Sequence, residues 1–389
     1  MYVAFETTNV CMPRTLPKRS GYLASLDGWR AVAILGVLFI HEPPLVIGRY
    51  SLGQIQRFGS LGVVLFFAIS GILIAGRILE EESLTGRFHL KLFYIRRLFR
   101  IQPCMWAYLL VIAVLMLAGI LHEAWSHWLG ALFLYENFLY HEADWNERIG
   151  YFTGHFWTLA VEEHFYLLIS LALFFIRRRR VLIFGLLLLG VKVAQTVLQH
   201  HTPDPLLRRT YWQIHILLWP AWAAMLLREP AVRTWAIRWL KPWLVLGVTL
   251  TGALLATSRS PGIALQLLGY SFTLWVISTM LHPESLTTRV LEWHPLRFLG
   301  RLSYSIYVWQ VLFYSKNSPV QVDSHLLLIL SERPWKYVAT ACAALLSYYL
   351  IEKPMIRLGH RLAPPVTEGR GDLQASALPV GKAVVAGTA

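Results

Sequence analysis

An arginine and a histidine bracket ten uncharged residues near the start of this chain. In LDGWRAVAILGVLFIH, residues 26–41, Arg30 and His41 enclose only apolar side chains and glycine. Histidine exchanges a proton near neutral pH and so suits general acid–base work. Eleven steps along an α-helix, at ~1.5 Å and ~100° each, advance ~16 Å and return to nearly the same face. Asp27, three residues before Arg30, shares that face. A polar stripe of this kind is costly against lipid and points to a lined interior or a site. The plainer alternative is that Arg30 snorkels and His41 caps the helix before Glu42-Pro43-Pro44.

Two further stretches combine charge with apolar sequence. In FYIRRLFRIQP, residues 93–103, Arg97 and Arg100 are one helical turn apart. Guanidinium is a planar, permanent, multidentate donor, so the pair suits a phosphate clamp as well as an anchor at the cytoplasmic face. In HFWTLAVEEHFYLL, residues 155–168, Glu162 and Glu163 interrupt an apolar run, and Tyr166 lies one turn after Glu162. Neighbouring helical residues diverge by ~100°, so only one of the two carboxylates faces a given centre. A carboxylate at that depth needs a partner, and Arg, His or Tyr can supply one.

The elements that carry these residues are membrane spans. Of 389 residues, 56% are hydrophobic and only 15% charged, which is the composition of a polytopic membrane protein. The 16 Trp and 17 Tyr concentrate near the ends of apolar runs, as interfacial belts do. The net charge of +14 sits in short segments between those runs, so it reads as topology and not as a nucleic-acid surface. Three scattered cysteines, Cys11, Cys104 and Cys342, suggest neither a disulfide framework nor a metal site.

Hydropathy predicts an all-α fold of about ten transmembrane helices: 26–47, 58–79, 97–121, 155–176, 181–198, 211–227, 243–257, 263–281, 302–313 and 335–351. The segment 125–138 is apolar but short of the ~20 residues that a crossing takes. If it crossed, Arg177–Arg180 would fall outside; if it re-enters, they fall inside with Arg228, Arg297, Arg301, Lys353 and Arg357. The positive-inside rule favours the second case, with both termini cytoplasmic and 121–155 external. Residues 1–19 then form a cytoplasmic segment without a cleavable signal, 20–362 the membrane domain, and 363–389 a disordered cytoplasmic tail rich in Ala, Gly, Pro and Val. The external Trp125, Trp128, Trp145 and Trp157 serve either as interface anchors or as platforms for a sugar.

The segments LDGWRAVAILGVLFIH, RRLFRIQP, WTLAVEEHFYL, LGRLSYSIYVWQ and YYLIEKP occur in this order. As an ordered set they resemble acyltransferase family 3, membrane-bound O-acyltransferases that include bacterial surface-polysaccharide O-acetyltransferases and enzymes acylating macrolides. The resemblance covers residues 20–362. It implies a multi-pass protein of the bacterial inner membrane, an acetyl-CoA or other acyl-CoA donor arriving from the cytoplasm, and no resident cofactor or metal. The acceptor is expected to be a hydroxyl of a carbohydrate, glycolipid or macrolide. By position, the family's first-span arginine and histidine match Arg30 and His41. Its Arg-x-x-Arg matches Arg97 and Arg100, and its W-x-L-x-x-E-x-x-F-Y matches Trp157, Leu159, Glu162, Phe165 and Tyr166. Gln310 stands where many relatives carry histidine, and His164 where many carry glutamine. Some relatives add a soluble esterase-like domain; none is expected here, and no G-x-S-x-G elbow occurs.

Acyl transfer to a hydroxyl needs a base and stabilisation of the tetrahedral intermediate. His41 is the expected base, with Glu162 as its candidate partner. Arg97 and Arg100 are expected to hold donor phosphates, Arg30 and Asp27 to line the donor entrance, and Trp157 and Tyr166 to support the site. Two other classes fit parts of the pattern. A proton-coupled secondary transporter would also bury Arg, His and Glu, although no internal repeat is visible. A non-catalytic membrane subunit would have no need of His41.

Overall fold

The computed structural model describes residues 23–42, 46–47, 50–51, 58–139, 150–199, 210–257, 261–318 and 320–365. The expectations for segment 1–19, for Trp145 and for nearly all of the tail lie outside the described residues. The rest is helical, apart from a two-residue antiparallel pairing of Val46–Ile47 with Tyr50–Ser51.

Each predicted span overlaps a helix. We number them α1 (Ala24–Ile40), α2 (Leu61–Thr85) and α3 (Leu90–Leu117), then the short α4 (Trp125–Leu132) and α5 (Glu136–Leu139). Next come α6 (Trp157–Phe175), α7 (Arg180–Gln199), α8 (Thr210–Leu226), α9 (Pro230–Trp239), α10 (Pro242–Thr257) and α11 (Pro261–Leu281). The chain closes with α12 (Leu286–Leu291), α13 (His294–Trp309), α14 (His325–Leu330), α15 (Trp335–Ser347) and α16 (Lys353–Leu362). Among the described residues, four helical segments are long and apolar enough to cross a membrane by themselves: Leu61–Thr85, Leu90–Leu117, Gly154–Phe175 and Arg180–Val197.

Several boundaries differ from the sequence reading, among them the end of the second span, at Thr85, and the start of the third, at Leu90; two have a local cause. The first span ends at Ile40, not Ile47, and His41 is its C-cap. Pro43 has no backbone N–H to continue the helix, and its ring disfavours helical geometry just before it. The ninth helix starts at His294, eight residues before Leu302, because Pro295 at its first turn favours initiation in a segment too polar to score as a span.

α1 is the central helix, packed against α2 and α13. The approach is backbone to backbone. A Cβ on Gly300 of α13 would lie 1.8 Å from the Asp27 carbonyl oxygen, and one on Gly62 of α2 would lie 2.3 Å from that of Ala33. Only glycine permits such contact, which is how small residues bring membrane helices together. Ala31, Ala33 and Ile34 are fully buried between these neighbours.

The region between α3 and α6 goes out and comes back. Trp128 Nε1 donates to the Leu109 carbonyl at 2.8 Å, two turns inside the end of α3, so the short helix α4 dips inward. α6 then returns, and Arg180 just beyond it is ion-paired with Glu82 near the end of α2. The Arg177–Arg180 cluster therefore lies at the same end of the bundle as Arg96, which pairs with Glu81.

Candidate active site

α1, α2, α3, α6, α13 and α16 enclose one cavity of about 510 Å³. Asp27, Arg30, Arg97, Arg100, Glu162 and Tyr166, six of the eight residues selected from the sequence, line it. Arg30 donates to the buried Asp27 at 3.0 Å, an i,i+3 pair in the first turns of α1. An acidic group there also suits the positive end of the helix dipole.

Glu162 is held on the cavity wall by two hydroxyls. Ser70 Oγ donates to Oε1 at 2.9 Å and Tyr166 OH to Oε2 at 3.1 Å. The guanidinium of Arg97 lies over the Tyr166 ring at 4.3 Å, a cation–π stack on the cavity wall. Glu163 points elsewhere, as its position in the helix requires, and does not line the cavity.

Two selected residues stand outside it. Trp157 packs edge-on against Phe67, whose ring forms part of the wall. His41 is at the opposite end of α1 from Asp27. Its Nδ1 lies 2.7 Å from the Val37 carbonyl, and its ring meets Tyr314 edge-on at 6.3 Å. A carbonyl can only accept, so Nδ1 carries the proton, and Nε2 meets no hydrogen-bond partner among the described residues.

The expected His41–Glu162 pair does not form. No hydrogen bond joins them: Nδ1 of His41 faces the Val37 carbonyl, and Glu162 accepts from Ser70 and Tyr166. Glu42 is the carboxylate beside His41. It accepts from Tyr314 OH at 3.0 Å, Lys336 Nζ at 2.7 Å and Arg333 at 2.5 Å.

Between the cavity and His41 lies a polar junction that motif spacing did not reveal. Tyr307 and Thr158 line the inner part of the cavity, and their hydroxyls are 2.5 Å apart. Tyr307 donates to the His155 carbonyl, which leaves the Thr158 hydroxyl to donate to Tyr307. The His155 ring packs against Tyr307 and is within electrostatic reach of His41.

Other wall residues were also missed. Arg77 is the one charge in the apolar run 58–79, which is itself the available signal. Glu352 lies in the quoted YYLIEKP segment; a π-helical turn over Tyr348–Glu352 carries it to the wall, where Ser305 Oγ donates to it at 2.7 Å. Such insertions mark functional sites more often than chance, and none is visible in composition. His164 is directed away, bonding Thr210 at 2.7 Å.

Outside the spans, Glu123 is buried and its Oε2 accepts the Phe152 backbone N–H at 2.8 Å. Burial pushes its carboxyl up to about 7, against the opposing effect of that hydrogen bond. This contact fixes the segment leading to His155.

No solved structure matches the chain. OatA of Staphylococcus aureus (strain NCTC 8325), named an O-acetyltransferase, is 26% identical over 376 residues, 87% of this chain and 58% of OatA. YrhL of Bacillus subtilis (strain 168), provisionally named a peptidoglycan O-acetyltransferase, is 28% identical over 374 residues, 87% of this chain and 56% of YrhL. The chain thus spans somewhat over half the length of these relatives. The sequence profile of the acyltransferase domain family matches residues 23–353, which include every selected site residue. The chain belongs to that family, acyltransferase family 3, as its motifs indicated.

Proposed function

We propose that this protein is a membrane O-acetyltransferase that takes an acetyl group from acetyl-CoA in the arginine-lined cavity and delivers it to a glycan hydroxyl, of the peptidoglycan class, at the His41 end of α1. The observation that carries the reading is the division of α1: Arg30 faces a cavity rich in guanidinium at one end, and at the other the Nε2 of His41 meets no hydrogen-bond partner among the described residues. The relatives named O-acetyltransferases support the reaction class, and the name of YrhL supports the acceptor class.

In this reading the bilayer holds ten spans, both termini are cytoplasmic, and the cavity opens to the cytoplasm. The grouping of Arg30, Arg96, Arg97, Arg100 and Arg180 at one end of the bundle supports that orientation. Arg97 and Arg100 hold donor phosphates. The acceptor oxygen attacks the thioester carbonyl carbon while Nε2 of His41 takes its proton. The tetrahedral intermediate then expels the CoA thiolate, which accepts the proton and leaves as the thiol. Glu162 serves the donor side, as a fixed carboxylate beside Arg97.

The test is transfer of label from acetyl-CoA to soluble peptidoglycan fragments by the purified protein. Acetylated fragments support the reading. A protein that binds acetyl-CoA but acetylates no glycan removes the acceptor class, and one that binds no acetyl-CoA removes the donor.

A further inference from the structure

Resting on the acetyl-transfer reading, we infer that Arg333 is an acceptor subsite: it holds a carboxylate that the glycan carries close to the hydroxyl presented to His41. The site is built at the His41 end of α1. Glu42, the residue after His41, gathers three groups from elsewhere in the chain. Tyr314 OH donates to its Oε1 at 3.0 Å. Lys336 Nζ donates to Oε2 at 2.7 Å, and Arg333 donates to the same oxygen through Nε at 3.2 Å and Nη2 at 2.5 Å. Tyr314 also meets the His41 ring edge-on at 6.3 Å, and Asn317 Nδ2 donates to the His41 carbonyl at 3.0 Å. Arg333 is thus bonded to the residue that follows the expected base.

Two cations converge on one carboxylate, and they are not equivalent. Lys336 is buried, its side chain 4% exposed, with Nζ over the Tyr314 ring at 4.5 Å. A buried ammonium has to be paired, so the charge of Glu42 is committed to it. The side chain of Arg333 is 51% exposed, and the charge it adds is surplus. Its neighbour Glu332 does not offset it, because that carboxylate is paired with Lys316. Among the described residues the cluster therefore sets three cations against two carboxylates, and the excess sits on an exposed, planar group beside His41.

The fold does not need this arginine. Glu42 keeps Lys336 and Tyr314 without it, and a half-exposed ion pair adds little to stability. What Arg333 supplies is a donor fork. Both of its bonds to Glu42 end on one oxygen, which leaves further N–H groups of the guanidinium for a second acceptor. Glu42 in turn fixes the direction of the fork, as a supporting carboxylate does for an arginine that recognises a ligand. A neutral sugar gains nothing from the surplus charge, whereas a sugar acid does. In an acceptor of the peptidoglycan class, the muramic residue carries a lactyl carboxyl group attached to its ring.

Acetyl transfer is measured to two forms of one muramoyl fragment, with the lactyl carboxylate free and with it capped as a methylamide. Wild type, Arg333→Gln and Arg333→Lys are compared in uncharged detergent, which supplies no competing anionic headgroup. Wild type is expected to show a KM about fivefold lower for the free acid, a modest preference because the guanidinium stands half in water. Arg333→Gln should bring the two KM values together. Arg333→Lys, which keeps the charge without the fork, should keep part of the difference. Acetyl-CoA binding by calorimetry shows that each variant is folded. Equal KM values in wild type would overturn the subsite and leave Arg333 as a tie between α1 and α15, with the acetyl-transfer reading intact. A preference that survives in Arg333→Gln would overturn it too, since the carboxylate is then read elsewhere. Acetylation of neither fragment by wild type would overturn the acceptor reading itself, and this subsite with it.

Discussion

Ser70 donates to Glu162 across 2.9 Å, joining α2 to α6 on the cavity wall and placing this carboxylate with the arginines and not with His41. A carboxylate beside a histidine raises the histidine's pKa, and neutralising it would move the acidic limb of the pH–rate profile, which reports the general base, to lower pH. With Glu162 bound elsewhere, Glu162→Gln should weaken acetyl-CoA binding and turnover yet leave that limb in place. A shift of the limb in the variant would show that the two groups approach each other during turnover.

His41→Gln should lower transfer ~10²–10⁴-fold, the usual loss for a general acid–base group, with acetyl-CoA binding unchanged. Nδ1 is committed to the Val37 carbonyl, so the missing function is that of Nε2. Calorimetry together with single-turnover rates reads both quantities. Near-normal turnover would take His41 out of the chemistry and leave it as the cap of α1.

Arg97→Lys combined with Arg100→Lys keeps both positive charges and therefore the topology signal, but removes the planar fork. A charge-assisted hydrogen bond contributes ~1.5–3 kcal/mol, so the donor KM should rise about tenfold or more while the acceptor KM changes little. Unchanged donor affinity would reduce this pair to membrane anchors.

Gly300→Val should be poorly folded. Its Cβ would stand 1.8 Å from the Asp27 carbonyl oxygen, a backbone atom that cannot rotate away. Overpacking of this kind costs ~1–3 kcal/mol, and more where backbones must separate. Thermal unfolding in detergent, with Gly76→Val as the control because no atom lies within 4 Å of a Cβ placed there, measures the difference.

Glu123 should make the external segment less stable as pH rises. Its folded carboxyl binds a proton up to about 7, above the ordinary value of 4.5, so the folded state holds the proton that the unfolded state releases. Stability is then greatest below about 4.5, falls between 4.5 and about 7, and levels off above. Glu123→Gln should flatten that slope and protect residues 150–156 at pH 8. Hydrogen exchange of this segment at pH 5 and pH 8 gives the answer; an equal slope in the variant would assign the pH response elsewhere.

Much of the site could be read from charge alone. Asp27, Arg30, Arg97, Arg100 and Glu162 are ionisable groups in or beside apolar runs, and the cost of placing them in lipid is why they converge on an interior space. Helix existence was legible for the same reason, since each span is a run of apolar residues. Contact between helices was not. His41 and Glu162 are each near an end of a span, and hydropathy does not say how two helices are offset along their axes. Nor could it show the π-helical turn that moves Glu352 to the wall, or the early start of α13 in the polar HPLRFLGR. Arg77 is a lone charge in its apolar run, which by itself does not place it on the cavity wall.

Sidedness is the most direct test of the central claim that donor and acceptor meet from opposite ends of α1. The protein is reconstituted in sealed vesicles with a single orientation. Labelled acetyl-CoA is supplied on the side of Arg180, and peptidoglycan fragments are enclosed on the side of Glu123. The account predicts acetylated fragments in that arrangement, none when acetyl-CoA is given only on the Glu123 side, and none with His41→Gln. Acetylation only when donor and acceptor share one side would contradict it.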